Sequence, residues 1–330
     1  MSDVAIELFS SLSATPLPAE LWPFGNDALI PLDRWLEFVI VDIIVQYCRP
    51  FFQVLSDSIR IVLNGIQWFF VDAVHPLTLL MGLLTIAWQI AGRNTAIFSV
   101  VAMAVVGAIG AWDDAMVTLS LILTAVILCA VVGIPLGIWT ASNKHAERAA
   151  RPVLDAMQTL PAFVYLVPVV MLFGTGEVPG TIVTFVFAVP PLIRLTNIGI
   201  RGVPSDVVEA SRAFGATPRQ TLWQVQVPLA MPTILAGINQ SLMLALSMVV
   251  IASLIAVGGL GQMVNRGIGR LDIGLAGVGG ISIVILAIVL DRITQALGNA
   301  GADALPWKER GPLGALRKLF TGRRSPAATS

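Results

Sequence analysis

The residues best suited to chemistry lie between Pro204 and Pro228, in the stretch PSDVVEASRAFGATPRQTLWQVQVP. Glu209 offers a carboxylate, and Arg212 and Arg219 offer guanidinium groups. No Ser/His/Asp set, carboxylate pair or metal cluster accompanies them, so catalysis is the least favoured reading. The local signals point to a rigid, polar knob. Ser205 is the expected N-cap of a short helix, with Asp206 in its first turn, where a carboxylate meets the positive helix end. That helix is expected to run to Phe214. Gly215 is the natural residue after it, because glycine takes the left-handed cap without a Cβ penalty. Thr217-Pro218-Arg219-Gln220 restarts a helix with a capping box and proline at its first position. Pro228 is expected to open the next segment.

The elements that must carry this knob are apolar. The 330 residues are 56% hydrophobic and 12% charged, with a mean hydropathy of +0.84. These values exclude a soluble domain and describe an all-α, polytopic integral membrane protein. Net charge is zero, which carries no signal for nucleic acid. Cys48 and Cys129 lack CxxC spacing and read as isolated small hydrophobes. His75 and His145 lack ligand spacing. Gly258-Gly259-Leu260-Gly261 follows no strand and reads as the end of a span, not as a nucleotide loop. The composition predicts no metal or cofactor site in the chain.

Residues 1–32 read as a flexible N-terminal tail without signal-peptide character. Residues 33–75 are apolar, yet Glu37, Asp42, Asp57, Arg60 and Asp72 are too many charges for a span, each costing roughly 2.5–3.5 kcal/mol at mid-bilayer. Phe51, Leu55, Ile59, Val62, Ile66 and Phe70 follow helical steps on one face, with Gln53, Asp57, Arg60, Asn64 and Gln67 on the other. That pattern predicts a helix lying on the membrane surface. Seven spans follow, near 76–92, 95–111, 115–140, 160–174, 179–195, 229–257 and 273–290. Residues 296–330 form a basic tail.

The connections carry a charge code. Arg93, then Lys144, Arg148 and Arg151, then Arg194, Arg201, Arg212 and Arg219 mark alternate turns, with Asp113, Asp114 and Glu177 between them. The segment before the first span holds nine acidic and three basic residues. The positive-inside rule then puts the N-terminus outside, the C-terminus in the cytoplasm and the 204–228 loop on the cytoplasmic side of a bacterial inner membrane. Residues 115–143, 156–176 and 220–265 carry no charge. An ion-coupled carrier usually keeps an acid in its membrane core, so these spans suit a machine powered from outside the membrane. Gly133 and Gly137 form a small-xxx-small pair for close helix approach, and Pro135, Pro161, Pro168, Pro190 and Pro191 punctuate the spans.

Glu209-Ala210-Ser211, then Gly215, Val225 and Val227-Pro228 resemble the EAA loop of ABC importer permeases; Ser211, Val225 and Val227 depart from that pattern by small changes. A second resemblance is narrower. Met157-Gln158-Thr159-Leu160-Pro161, Phe163 to Pro168, Met171 to Gly174, Val189 to Asn197 and Asn239 to Val250 resemble the glycine betaine/proline betaine/choline (quaternary amine, ProW-like) permeases, over about residues 31–295. The resemblance implies a type I importer (MetI-like) fold at 76–295, with an external amphipathic helix before it. It also implies a second copy of the chain, two ATPase subunits that bind ATP-Mg, and a separate external substrate-binding protein. Under it, Glu209, Ala210, Ser211 and Gly215 form the ATPase contact. Arg212 and Arg219 either pair with ATPase acids or are solvated.

A quaternary ammonium is usually held by aromatic faces. Trp139, Phe163, Tyr165, Phe185, Phe187, Met243 and Met248 are therefore the expected path residues, although such side chains in spans also simply pack. Competing readings are an ABC permease for trimethylamine N-oxide, carnitine or an amino acid, a secondary transporter, and a membrane scaffold or osmosensor.

Overall fold

A computed structural model describes residues 46–298, and these hold helices and short connections without a strand. The expectations for residues 1–45 and for the tail beyond Gly298 lie outside the described residues. The chain divides into Met1–Pro50 and Phe51–Ser330, and nearly all described residues belong to the second unit. The helices are α1 (Gln46–Gln67), α2 (Pro76–Ala91), α3 (Arg93–Ala108), α4 (Trp112–Ser142), α5 (Lys144–Thr159), α6 (Ala162–Phe173), α7 (Glu177–Arg201), α8 (Ser205–Ala213), α9 (Pro218–Gln220), α10 (Val227–Ala252), α11 (Leu260–Arg270) and α12 (Ile273–Gly298).

Each of the seven expected spans falls on a helix. By length and composition, Trp112–Ser142, Glu177–Arg201, Pro218–Ile255 and Ile273–Gly298 can each cross a bilayer alone. Two further helix pairs are apolar enough only when taken together and are sharply bent: Phe52–Ala73 with Pro76–Ala91, turning 113°, and α5 with α6, turning 102°; counting each pair as one span would give six. α3 has 16 residues, short of the roughly 20 a bilayer needs. α5 and α11 were not foreseen as helices. Each is polar on one side, and α5 carries Lys144, His145, Glu147, Arg148, Arg151 and Asp155, which keeps it out of hydrocarbon.

α7 is the centre of the bundle: 72% of its most apolar stretch is buried, against 22% for α12. It lies between α4 and α10. Helices in lipid gain little from hiding apolar surface, so close fit must hold them. Glycine supplies that fit. A Cβ on Gly137 would sit 2.4 Å from Thr196 Cβ and 3.0 Å from the Ile193 carbonyl. On Gly133 it would press on Leu192 and Val189 at 3.1 Å, and on Gly237 it would reach Leu192 Cδ1 at 2.9 Å. The expected Gly133/Gly137 pair is thus the seam between α4 and α7. Two hydrogen bonds lock α7 to its neighbours: Ser241 Oγ of α10 donates to the Ala188 carbonyl at 2.7 Å, and Asn197 Nδ2 donates to Thr140 Oγ1 of α4 at 3.1 Å. Most other buried hydroxyls donate to carbonyls one turn back, as Thr118, Ser120, Thr124 and Thr184 do.

α12 joins α10 through Asp291, which accepts from Asn239 Nδ2 at 3.1 Å and from Gln295 Nε2 at 2.7 Å. Asp291 lies one residue past the expected span limit, yet inside α12, whose helix continues to Gly298.

The amphipathic α1 forms, and on its expected apolar face Ile59 is buried and Ile66 and Phe70 are half-buried. Ile59 and Leu63 are buried against Tyr165, Val178, Ile182 and Met248, and the Phe52 ring meets Phe173 edge-on at 5.3 Å. Leu55 and Val62, expected on the apolar face, are exposed. Asp57 and Arg60 pair on the exposed side at 3.3 Å. Within the chain, Ile59 and Leu63 form the row that packs on α6 and α7.

The glycine run at 258–261 serves packing. Gly259 (φ 86°) opens α11, and a Cβ on Gly261 would strike the Val249 carbonyl oxygen at 2.2 Å. The Leu260 amide donates to Thr118 Oγ1 at 2.8 Å. Cys129 is a buried free thiol inside α4.

Gly137→Ala is expected to destabilise the fold by about 1–3 kcal/mol, because the seam has no space for a methyl group. Gly82→Ala, where a Cβ meets nothing within 4 Å, is the matched control. Thermal unfolding of the two purified variants in one detergent checks this.

Candidate functional site

The stretch around Gly215 folds as a helix–turn–helix protruding from the ends of α7 and α10. α8 begins directly after Pro204. The N-cap is therefore Pro204, not Ser205, which is the first helical residue, and the cap makes no side-chain hydrogen bond. Proline fixes φ and needs no donor there. Asp206 sits in the first turn as expected. α8 ends at Ala213, with Phe214 as its C-cap. Gly215 follows with φ 84°. Its amide donates to the Arg212 carbonyl at 2.9 Å, and that of Ala216 to the Ser211 carbonyl at 3.1 Å, the paired bonds that close a helix on a left-handed residue.

The restart is also as expected. The Gln220 amide donates to Thr217 Oγ1 at 3.3 Å, and the Thr217 amide donates to Gln220 Oε1 at 2.9 Å, a complete capping box. Ser211 Oγ and the buried Thr221 Oγ1 lie 3.3 Å apart, bridging the two helices across the turn. The serine that departs from the EAA pattern thus has a structural partner.

Pro228 is the second residue of α10 and so stands at the opening of that helix as expected, although the helical path through it is continuous. The helix runs without a break from Pro218 to Ile255. A π-helical turn at Thr221–Gln226 precedes the proline, with the Val227 amide donating to the Leu222 carbonyl. The wider turn changes the hydrogen-bond register just where proline removes a donor.

Glu209, Ala210, Arg212 and Arg219 are exposed. Among the described residues, no hydrogen bond or ion pair engages the side chains of Glu209, Arg212 or Arg219. The knob therefore presents one carboxylate and two guanidinium groups unsatisfied, on a scaffold stiffened by two caps and one bridge. Phe214 is 92% exposed at its tip. The sequence reading treated Phe214 only as the end of the helix; an aromatic residue in a polar loop was the available signal.

A second group was missed. Glu147 of α5 accepts from Arg151 Nη2 and Arg201 Nη1, both at 2.6 Å. Arg201 Nη2 donates to the Thr140 carbonyl at 3.0 Å, and Arg194 pairs with Asp155. The hydrogen bond from Arg151, and then the charges of Arg201 and Arg151, hold the Glu147 carboxyl below its ordinary value, while desolvation pushes the other way. A lowered pKa means the favourable contribution is present above the ordinary carboxylate value and is lost as pH falls through the lower, folded one. Glu147 is therefore ionised at neutral pH. The i, i+4 spacing of Glu147 and Arg151 was legible; its link to Arg201 was not.

Of the seven candidate path residues, the structure brings Tyr165, Phe187 and Met248 together and leaves the other four apart from them. Met248 is fully buried with Tyr165 under α1, and Phe187 meets Tyr165 edge-on at 6.4 Å. The Tyr165 hydroxyl donates to the Met157 carbonyl. Phe185 packs on the main core. Trp139, Phe163 and Met243 are exposed.

Residues 133–300 match the family described as "Binding-protein-dependent transport system inner membrane component". The chain is 56% identical over 316 residues to the glycine betaine/proline betaine transport system permease protein ProW of Escherichia coli, covering 94% of this chain and 88% of that protein. It is 46% identical over 278 residues to the glycine betaine/carnitine transport permease protein GbuB of Listeria monocytogenes, covering 83% of this chain and 98% of that one. In fold it is similar to a chain of the inward-facing MetNI methionine ABC transporter, with a TM-score of 0.50, 23% identity, and coverage of 55% of this chain and 92% of that one.

Gly215→Val is expected to strain the turn by about 1–3 kcal/mol, since a β-branched residue resists positive φ. Faster amide exchange at 214–221, with the spans unchanged, is the expected readout; unchanged exchange would show that the turn tolerates a side chain.

Proposed function

Because the chain belongs to the binding-protein-dependent transport system inner membrane components, we propose that it is the permease subunit of an ATP-driven importer of quaternary ammonium compounds. The observation that carries this reading is the α8–Gly215–α9 knob, rigid by its caps and exposed in its charges, on a scaffold of that family. The names of its close relatives support glycine betaine or proline betaine as cargo, with choline in the same chemical class. The chain holds no ATP site in this reading; ATP-Mg binds to partner ATPase subunits.

In the proposed assembly two copies of the chain line a path, two ATPases dock on the knobs and a separate binding protein delivers cargo at the opposite end. The charge code supports a cytoplasmic knob and C-terminus in an inner membrane, with an external α1. ATP binding draws the ATPases and their knobs together and opens the path outward; hydrolysis resets it. Glu209 is the coupling contact, Ala210 and Ser211 pack beside it, and Gly215 shapes the turn. Arg212 and Arg219 are available to ATPase carboxylates. Phe163, Trp139 and Met243 are free to face the path across the two copies. Tyr165, Phe185, Phe187 and Met248 reach it only if their packing opens.

The test is ATP hydrolysis by the reconstituted complex with its ATPase and binding protein. Glycine betaine-loaded binding protein is expected to raise the rate above empty binding protein; choline- and carnitine-loaded forms place the cargo within or beyond the class. An assembled complex that no loaded form stimulates would discard the cargo assignment. Glu209→Ala is expected to lower transport by about tenfold or more, as loss of a partnered interface charge does. Its thermal stability should match the parent because Glu209 has no side-chain partner among the described residues. Parental transport by that variant would remove Glu209 from the contact.

A further inference from the structure

Only Gly202, Val203 and Pro204 separate Arg201, the last residue of α7, from the start of α8. That connection has no slack. The Gly202 amide still bonds back to the Ile198 carbonyl at 2.8 Å, and Val203 is buried. A push on α8 therefore reaches Arg201 first. Arg201 in turn is fastened to two other helices, to α5 through Glu147 at 2.6 Å and to α4 through the Thr140 carbonyl at 3.0 Å. Two helical turns back along α7, Arg194 pairs with Asp155, two turns on from Glu147 along α5. α5 is thus strapped antiparallel to the end of α7 at two points.

The strap leads further. α5 turns by 102° into α6. The elbow is braced by the hydrogen bond from the Tyr165 hydroxyl to the Met157 carbonyl. From there Tyr165, Leu166 and Val169 enter the core cluster shared with Met248 and Ile255. Glu147, Arg151, Asp155 and Arg194 line a cavity of about 310 Å³ between α4, α5 and α7, so polar ties replace close packing between α5 and α7 here. The side chain of Glu147 is 13% exposed, against 34% for Arg201, 63% for Asp155 and 37% for Arg194, which makes Glu147 the most enclosed member.

We infer that Glu147 and Arg201 are positioning residues for coupling: they make α5 and the end of α7 one lever, which carries movement of the α8 knob into the α6 side of the bundle. This rests on the reading of α8 as the ATPase contact.

The variants Glu147→Gln and Glu147→Asp, with Arg194→Gln as a milder break at the rim, are placed in the reconstituted complex, and cargo moved per ATP hydrolysed is measured. Glu147→Gln is expected to lower that ratio at least fivefold, Arg194→Gln at least twofold, and Glu147→Asp should keep at least half of it. A purely structural role would lower transport and hydrolysis together and leave the ratio at the parental value; that outcome overturns the inference. Amide exchange at Gly202 and Val203 supplies a readout that needs no cargo. It should rise at least tenfold in Glu147→Gln and less in Glu147→Asp. Unchanged exchange means the strap does not hold the root of α8. A parental complex without cargo-stimulated hydrolysis would instead discard the cargo assignment, and the exchange result would still decide the strap.

Discussion

The structure depends on how near α7 can come to α4 and α10. In water an apolar helix is driven against its neighbours; in a bilayer the surrounding chains are as apolar as leucine, and contact must be won by fit. Gly133, Gly137 and Gly237 provide it by removing the side chains that would hold the axes apart. With the backbones this close, Ser241 and Asn197 reach across to fixed partners, and Leu192 fills the space between three helices. Everything attached to the two ends of α7 inherits its position, including the α8 knob at one end and the Gly176–Ile255 hydrogen bond at the other.

The knob is organised by a different rule. It has little core of its own, and Thr221 is its buried polar residue. Its shape comes from local chemistry: a positive-φ glycine, a capping box and a hydroxyl bridge. That division suits a part that must keep its form while exposed and must offer unpaired charge to a partner. A loop stabilised by internal ion pairs would have used up the groups it needs for recognition.

This contrast explains what was legible in the sequence. Gly215, Thr217 and Gln220 could be read correctly because their roles depend on neighbours within four residues. The spans could be read because length and apolarity suffice. Ser205 failed as a cap because the preceding Pro204 already set the entry geometry. Pro228 was legible as the opening of α10, but the π turn that joins this helix to α9 was not. On α1 periodicity placed Ile59 on the apolar face, while the burial of Leu63 beside it depends on where α6 and α7 lie. The Glu147–Arg201 tie joins residues far apart in the chain, and each alone looks like an ordinary charge flanking a span. For the candidate path residues the sequence leaves two readings open, since aromatic and methionine side chains suit both packing and cation binding. In the single chain four of the seven pack.

The π turn at Thr221–Gln226 sets the aim of the knob. An α-helix advances about 100° per residue around its axis. A π turn holds one residue more than the α turn it replaces, so it offsets everything before it by about that angle relative to the bundle that follows. The direction in which the knob faces is therefore a matter of residue count, separate from its surface chemistry. Loss of one residue there would swing the same carboxylate and the same exposed aromatic ring to another bearing without altering a single side chain in either the knob or the core. Orientation and composition of the docking surface are in this sense separately adjustable, and the first is encoded in a place that a comparison of residue types alone passes over.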